Sequence, residues 1–245
     1  PVTQAQFRLW TETDEYGKWF KNNQKELELR SHHSNHYSGD RNPAESLSWW
    51  EARSYCKWLN GQGLWPATEA HADLPTETEW EYACRAGTTT EYHSGDGEAA
   101  LREAGWFGED LGEGGTHPVG GLKGNEFDLL DMHGNVFEWA LDVYDTDAYR
   151  DRGVETGTGA LRKGVEEWHW AHTGDDSDRV LRGGSWNSPA WVCRSAYRYW
   201  FRASYRYWDI GFRVCLLPGP DPGQPDRAEG LAEDEKRGGT TSAES

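Results

Sequence analysis

The chain falls into stretches with different hydrophobic patterning. Up to Gly87, helical blocks stand behind clear start signals: capping boxes, in which a Ser or Thr accepts from a backbone N–H three residues on and a Glu or Gln reaches back. These are Thr3-Gln-Ala-Gln6, Ser48-Trp-Trp-Glu51 and Thr76-Glu-Thr-Glu79. The second opens W-W-E-A-R-S-Y-C-K-W-L-N and the third E-T-E-W-E-Y-A-C-R, which predicts helices near residues 48–60 and 76–86. Each closes at a glycine able to take a left-handed cap, Gly61 and Gly87. Beyond Gly87 the helical signal fades, and Gly, Asp and Thr dominate around short apolar runs such as Phe127–Leu130 and Val136–Trp139. Helices first, then long loops with short strands, predict an α+β domain whose loops carry the function.

A third pattern fills Arg182 to Arg213: R-G-G-S-W-N-S-P-A-W-V-C-R-S-A-Y-R-Y-W-F-R-A-S-Y-R-Y-W-D-I-G-F-R. Large aromatics alternate there with Arg and small polar residues, without the regular repeat that assigns a strand or a helix core. Tyr and Trp offer wide contact area for few side-chain torsions, so the pattern points to a recognition surface. Core packing is the competing reading, because in a chain with 15 Trp some must be buried. Arg194, Arg198, Arg202 and Arg206 recur at spacing four through the same stretch and favour a solvent-facing surface, since Arg is rarely buried unless paired. Trp186, beside Gly183-Gly184-Ser185, is compatible with either.

At 245 residues the chain is long enough for one large domain, and it has no apolar run long enough to span a bilayer, so a soluble protein is expected. A net charge of -17 argues against a nucleic-acid partner, whose phosphates are bound through Lys and Arg. Cys56, Cys84, Cys193 and Cys215 lie far apart with no C-x-x-C, which writes neither a zinc site nor a dense disulfide framework. No signal peptide is visible, and the opening Pro1-Val2-Thr3 lacks an initiator Met, as expected if a segment lies upstream. From about Pro218 the composition turns to P-G-P-D-P-G-Q-P-D and then charged and small residues. Residues 1–217 are therefore expected to form one domain and 218–245 a flexible tail.

Four ordered stretches carry a family resemblance: L-P-T-E-T-E-W-E-Y-A-C-R-A-G (Leu74–Gly87), D-L-L-D-M-H-G-N-V-F-E-W (Asp128–Trp139), R-V-L-R-G-G-S-W (Arg179–Trp186) and G-F-R-V (Gly211–Val214). They resemble the signatures of the formylglycine-generating-enzyme, or sulfatase-modifying-factor, family, with P-V-T-Q-A-Q-F and S-L-S-W-W-E-A-R-S-Y-C-K-W-L extending the match to about Leu217. The resemblance implies a C-type-lectin-like fold: a small twisted sheet, two helices and extensive irregular loops. Oxidases of this family hold copper(I) on two cysteines after R-G-G-S, soft thiolates that suit the ion. In this chain the second position falls on Cys193 and the first on Ser188, a hard and weak ligand. No copper is expected, and Cys193 is read as a small buried apolar residue unless the oxidase alternative holds. Sulfoxide-synthase relatives place iron on a His-rich helical domain; His32, His33 and His36, the only His cluster here, are read as solvated.

The family's D-M-H-G-N-V-F-E-W turn implies a structural calcium, for which Asp131 and Glu138 would supply carboxylates and Gly134 and Val136 backbone carbonyls. The competing reading is a tight turn with both carboxylates solvated. A second branch of the fold comprises variable proteins of diversity-generating retroelements, rewritten between an R-G-G-S-W-like start and a G-F-R-like end. Asn187–Trp191 and Tyr197–Trp208 occupy that place, with Tyr, Ser, Phe and Asp as products of adenine replacement in Asn codons. The expected binding residues are Trp186, Asn187, Ser188, Pro189, Ala190, Trp191, Tyr197, Tyr199, Trp200, Phe201, Ser204, Tyr205, Tyr207 and Trp208, clustered on one exposed face. The leading reading is a ligand-binding variable protein taking an unknown protein or surface ligand, at a cell surface or on a phage. The alternatives are a formylglycine-generating-type oxidase acting on a cysteine thiol, and a carbohydrate-binding module whose aromatics stack on sugars.

Overall fold

All three capping boxes start helices. The structure is a computed structural model that describes residues 1–25, 34–66, 70–109, 114–149 and 177–218. Its helices are α1 (Gln4–Thr11), α2 (Asp14–Asn23), α3 (Trp49–Asn60), α4 (Glu77–Arg85) and α5 (Gly97–Ala104). Thr3 Oγ1 accepts from the Gln6 N–H at 3.2 Å while Gln6 Oε1 accepts from the Thr3 N–H at 2.9 Å. Ser48 with Glu51 and Thr76 with Glu79 repeat the arrangement. The helix ends differ from expectation. Gly61 closes α3 in a right-handed conformation (φ -76°), and at α4 Ala86 itself takes the left-handed cap (φ 44°) ahead of Gly87. Two helices lie outside the expected pair and the α1 start. α2 begins behind Thr13, whose hydroxyl accepts from Tyr16 N–H, and α5 begins behind Asp96 with no side-chain cap. α5 reads G-E-A-A-L-R-E-A, after its first glycine a run of strong helix formers that buries Leu101 and Ala104, but no capping box announces it.

The strands are β1 (Ala70–Asp73), β2 (Gly105–Trp106), β3 (His133–Gly134), β4 (Phe137–Val143), β5 (Asp178–Arg182), β6 (Tyr199–Arg202), β7 (Ile210–Phe212) and β8 (Cys215–Pro218). The main sheet runs β6-β5-β4-β7, with β4–β5 and β5–β6 antiparallel and β4–β7 parallel. β1 pairs antiparallel with β8, which ties the last described strand back to the α3–α4 connection. The apolar run Val136–Trp139 leads into β4 at Phe137, buried on both faces; Phe127–Leu130 instead forms a loop with Phe127 and Leu130 exposed. The tail expected over 218–245 lies outside the described residues apart from Pro218.

One core joins Phe7, Trp10, Leu47, Trp49, Tyr55, Trp139, Leu181 and Phe212 between the helices and the main sheet. A smaller cluster sets Trp80 against Cys84 and Met132. Two of the buried indoles are tied by hydrogen bonds: Trp139 Nε1 donates to the Leu47 carbonyl at 3.2 Å and Trp80 Nε1 to Glu138 Oε2 at 2.6 Å. In the R-G-G-S turn, Gly184 is left-handed (φ 73°), and a Cβ there would stand 2.5 Å from Cys193 Sγ. Only glycine fits.

Three buried carboxylates bind arginines from the stretch after Arg179. Glu51 of α3 accepts from Arg206 at 2.8 and 2.7 Å. Glu77 of α4 accepts from Arg198 at 2.6 and 2.7 Å and from Arg182 at 2.8 Å. Glu138 of β4 accepts from Arg213 at 2.6 and 2.8 Å. Removing one partner of such a pair strands the other charge in a low dielectric. Glu77→Ala is therefore expected to cost about 3–5 kcal/mol of folding stability in urea unfolding. Arg194→Ala, at a residue with no carboxylate within ion-pair distance among the described residues, should stay within about 0.5 kcal/mol.

Candidate functional site

Between the ends of β5 and β7 the backbone leaves the sheet as the Gly183-Gly184-Ser185 turn, passes through a 3-10 turn (Ala190–Cys193), returns as β6, and turns again to Asp209. The rings along this path touch in series. Trp191 meets Tyr197 edge-on at 5.3 Å, Tyr197 stacks near Tyr199 at 6.4 Å, and Tyr199 meets Phe201 at 5.3 Å. Phe201 stacks on Tyr205 at 4.2 Å, Tyr205 on Tyr207 at 5.8 Å, and Tyr207 leans on Trp208 at 4.7 Å. Trp191, Tyr199, Tyr205 and Tyr207 are 55%, 37%, 37% and 40% exposed, unusually wet for large aromatics. Their arrangement lines a cleft of about 290 Å³ together with Phe137, Asn187, Ser188, Pro189, Val192, Tyr197, Phe201 and Asp209; Trp191 and Tyr205 flank it.

Several expected face residues lie elsewhere. Trp186 is fully buried, wedged between Tyr37 at 5.5 Å and Trp208 at 5.2 Å, and it supports the face from beneath. Ser188 is buried as well, although it contributes to the cleft wall. Trp200 points to the other side of the sheet, against Tyr144 at 5.8 Å, because side chains of a strand alternate and Tyr199 and Phe201 take the cleft side. Ala190 packs with Tyr92, Leu101 and Cys193, and its carbonyl accepts from Tyr92 Oη at 2.8 Å. Trp208 is half-buried on Trp186, and Ser204, half-buried in the turn after β6, does not line the cleft. Sequence reading missed Phe137, which stacks on Tyr199 at 5.5 Å, and also Tyr37 and Asp209. Phe137 was hidden in a run that reads as core. Tyr37 arrives from a loop far away in sequence.

Polar groups converge under the rings. Ser185 Oγ lies 2.9 Å from Asp209 Oδ2, 2.8 Å from Asn187 Oδ1 and 2.9 Å from Ser188 Oγ, so its one proton serves these acceptors by turns. Burial pushes the Asp209 carboxyl up to about 6, against the opposing pull of the Ser185 hydrogen bond. Glu45, behind Tyr37, is pushed by burial up to about 7 while its Oε1 accepts from the Tyr37 N–H at 2.8 Å. Both are carboxyls able to change charge near neutral pH.

Cys193 is fully buried behind Gly184, and burial pushes its thiol up to about 12. Ser188 Oγ accepts from the Ser185 N–H at 3.0 Å, so its oxygen is held by the R-G-G-S turn. His133 Nδ1 sits 2.8 Å from the Cys193 carbonyl and must donate, while Nε2 accepts the His93 N–H at 3.1 Å. Burial pushes its pKa down to about 3, so it acts as a neutral pin between two backbone groups. His32 and His33 lie outside the described residues, and His36 is exposed beside Tyr37 and Trp208.

The residues implied for calcium take other partners. Arg213 Nη2 donates to the carbonyls of Leu130 and Asp131, each at 3.2 Å, as well as to Glu138 Oε1 at 2.8 Å. Asp131 Oδ2 accepts from the Gly120 N–H at 2.7 Å, and Oδ1 is buried without a hydrogen-bond partner among the described residues. Gly134 and Val136 are buried beside them. Glu138 is thus engaged by Arg213, while the buried Asp131 Oδ1 leaves one oxygen of the pair of carboxylates without a hydrogen bond among the described residues.

Comparison with known proteins places these features. Among the described residues no helix is long and apolar enough to cross a membrane. Of curated proteins, a formylglycine-generating enzyme of Mycobacterium tuberculosis is 40% identical over 112 residues, 42% of this chain and 34% of that protein. A serine/threonine-protein kinase pkn1 of Chlamydia caviae is 32% identical over 161 residues, 65% of this chain and 21% of the kinase. The chain thus spans only a minor share of both. Treponema denticola variable protein 1 has a similar structure with a TM-score of 0.60 at 22% identity, covering 88% of this chain and 81% of that one. PvdO from Pseudomonas aeruginosa follows with a TM-score of 0.57 at 25% identity, covering 76% and 66%. The α+β architecture is that of the C-type-lectin-like fold. Residues 1–216 match the sulfatase-modifying factor enzyme 1-like domain, and the chain belongs to that family.

Proposed function

We propose that this protein is a ligand-binding variable protein of the kind diversified by retroelements, presenting residues 187–208 as a recognition face on a C-type-lectin-like scaffold. The observation that carries the reading is the continuous series of ring contacts from Trp191 to Trp208, partly exposed, on a stretch anchored by Arg198 and Arg206 to buried carboxylates. Preorganised aromatics lose little entropy on binding, which suits a face whose side chains change while its backbone stays. The likeness to a protein titled variable protein 1 supports the same reading at the level of the fold. The oxidase alternative draws no support from the Ser188–Cys193 pair, since one is a hydroxyl held in its turn and the other a thiol packed behind Gly184. The ligand in this reading is a protein or other surface partner, met at a cell surface or on a phage.

Gene neighbourhood tests the retroelement directly. A reverse transcriptase and a near-copy of the codons for residues 183–213, differing from them chiefly at adenines, are expected beside the gene; their absence overturns this part.

Stability measurements test the face. Trp191→Ala, Tyr205→Ala and Tyr207→Ala should leave the melting temperature nearly unchanged. Each should also weaken a ligand selected on the immobilised chain by roughly 2 kcal/mol or more, as central interface aromatics do. Trp186→Ala should behave in the opposite way, costing about 3–5 kcal/mol of folding stability. Large destabilisation by all three exposed-ring variants would make the segment packing and sink the proposal.

A further inference from the structure

The aromatic cleft has an uncompensated carboxyl at its base. Asp209 is 7% exposed, lines the cleft, and has no ion-pair partner among the described residues. Three arginines of the same segment are committed elsewhere, Arg198 to Glu77, Arg206 to Glu51 and Arg213 to Glu138, and Arg194 Nε donates to the Trp191 carbonyl at 2.9 Å. Ser185 fixes one of its oxygens, and the Asp209 carbonyl accepts from the Phe137 N–H at 2.8 Å, so the residue is held in place from both ends. Around it stand the rings of Phe137, Tyr199, Phe201 and Tyr207.

An aromatic wall attracts a cation through the negative face of each ring, and a buried carboxylate attracts it through charge and hydrogen bonding. The chain as a whole carries a net charge of -17, a field that draws basic partners and repels acidic ones. We infer that the cleft receives a lysine or arginine side chain presented by a protein partner, with Asp209 as its counter-charge and Tyr199, Phe201 and Tyr207 as its walls. This inference rests on the binding-face reading above and adds the chemistry of the ligand to it.

The charge state of Asp209 gives the inference a pH signature. Its carboxyl titrates high for an Asp because it is buried, and Glu45, Tyr37 and Tyr205 are the titratable groups whose charge it feels or affects. A cation binds the ionised form, so affinity rises as pH climbs through about 6 and falls below it. Glu45, titrating near 7, adds to the same trend by charge alone, which makes a variant at Asp209 necessary to separate them.

The test uses the full chain and two probes of matched shape, Nα-acetyl-arginine amide and the uncharged Nα-acetyl-citrulline amide, titrated by ligand-observed NMR at about pH 7.5 and about pH 5. The expected result is binding of the arginine probe roughly tenfold tighter than the citrulline probe at the higher pH, with the preference shrinking at least about threefold at the lower. Asp209→Asn should abolish the preference while leaving citrulline binding as it was. Equal binding of the two probes, binding of neither, or a preference that survives Asp209→Asn overturns the inference. Should Asp209→Asn fold poorly, the charged-against-uncharged and pH comparisons on the unaltered chain decide alone. Equal binding that Tyr207→Ala abolishes would sink the cation while leaving the face intact, whereas failure of the face itself is read from the stability of the ring variants.

Discussion

Buried arginine–carboxylate pairs hold this molecule's most unusual segment in place. Glu51, Glu77 and Glu138 sit on α3, α4 and β4, and each reaches an arginine between Arg182 and Arg213. Ion pairs of this kind add little net stability over a well-packed apolar contact, because both charges must be stripped of water. Their value is discrimination: a register shift of the segment would leave charges buried without partners. The path of the backbone is therefore fixed by groups that point away from the cleft, and the rings facing the cleft are free of that task.

This division of labour explains what could and could not be read from the sequence. Helix starts were legible because a capping box is local: Ser48 and Glu51, or Thr76 and Glu79, find each other within one turn. Trp80 and Trp139, which belong to the family-like stretches Leu74–Gly87 and Asp128–Trp139, are buried in the core. The glycines of R-G-G-S are left-handed, and the reason at Gly184, the close approach of Cys193, depends on the path of the chain beyond the turn. α5 was passed over because it opens without a capping box, although its run of Ala, Leu, Glu and Arg favours a helix.

The candidate site was legible in composition and partly illegible in geometry. An aromatic crowd without a clean period was a fair description of a path that is part 3-10 turn, part strand and part loop. What a single sequence could not tell is which side each ring takes. Trp200 and Tyr199 are neighbours in the chain and lie on opposite sides of β6, while Trp186 is drawn into the interior by Tyr37, a residue brought in by tertiary structure. The arginines misled for a related reason: spacing four suggested solvent, yet Arg198 and Arg206 are largely buried because their acids wait on distant helices.

The sheet order carries one more consequence. β5 and β7 flank the same strand, β4, so the segment leaves on one side of β4 and returns on the other. Its two ends are thus held at a fixed separation by a strand that gives the cleft only Phe137. The closing entropy of a flexible connection grows only with the logarithm of its length, about 0.6 kcal/mol for each doubling. The turn from Ala203 to Tyr207 does not have that latitude, because Arg206 is tied to the buried Glu51 and the carbonyls of Ala203 and Tyr207 accept from the Trp49 and Ser46 N–H groups; a change in the identity of its rings is open to this fold in a way that a change in their number is not.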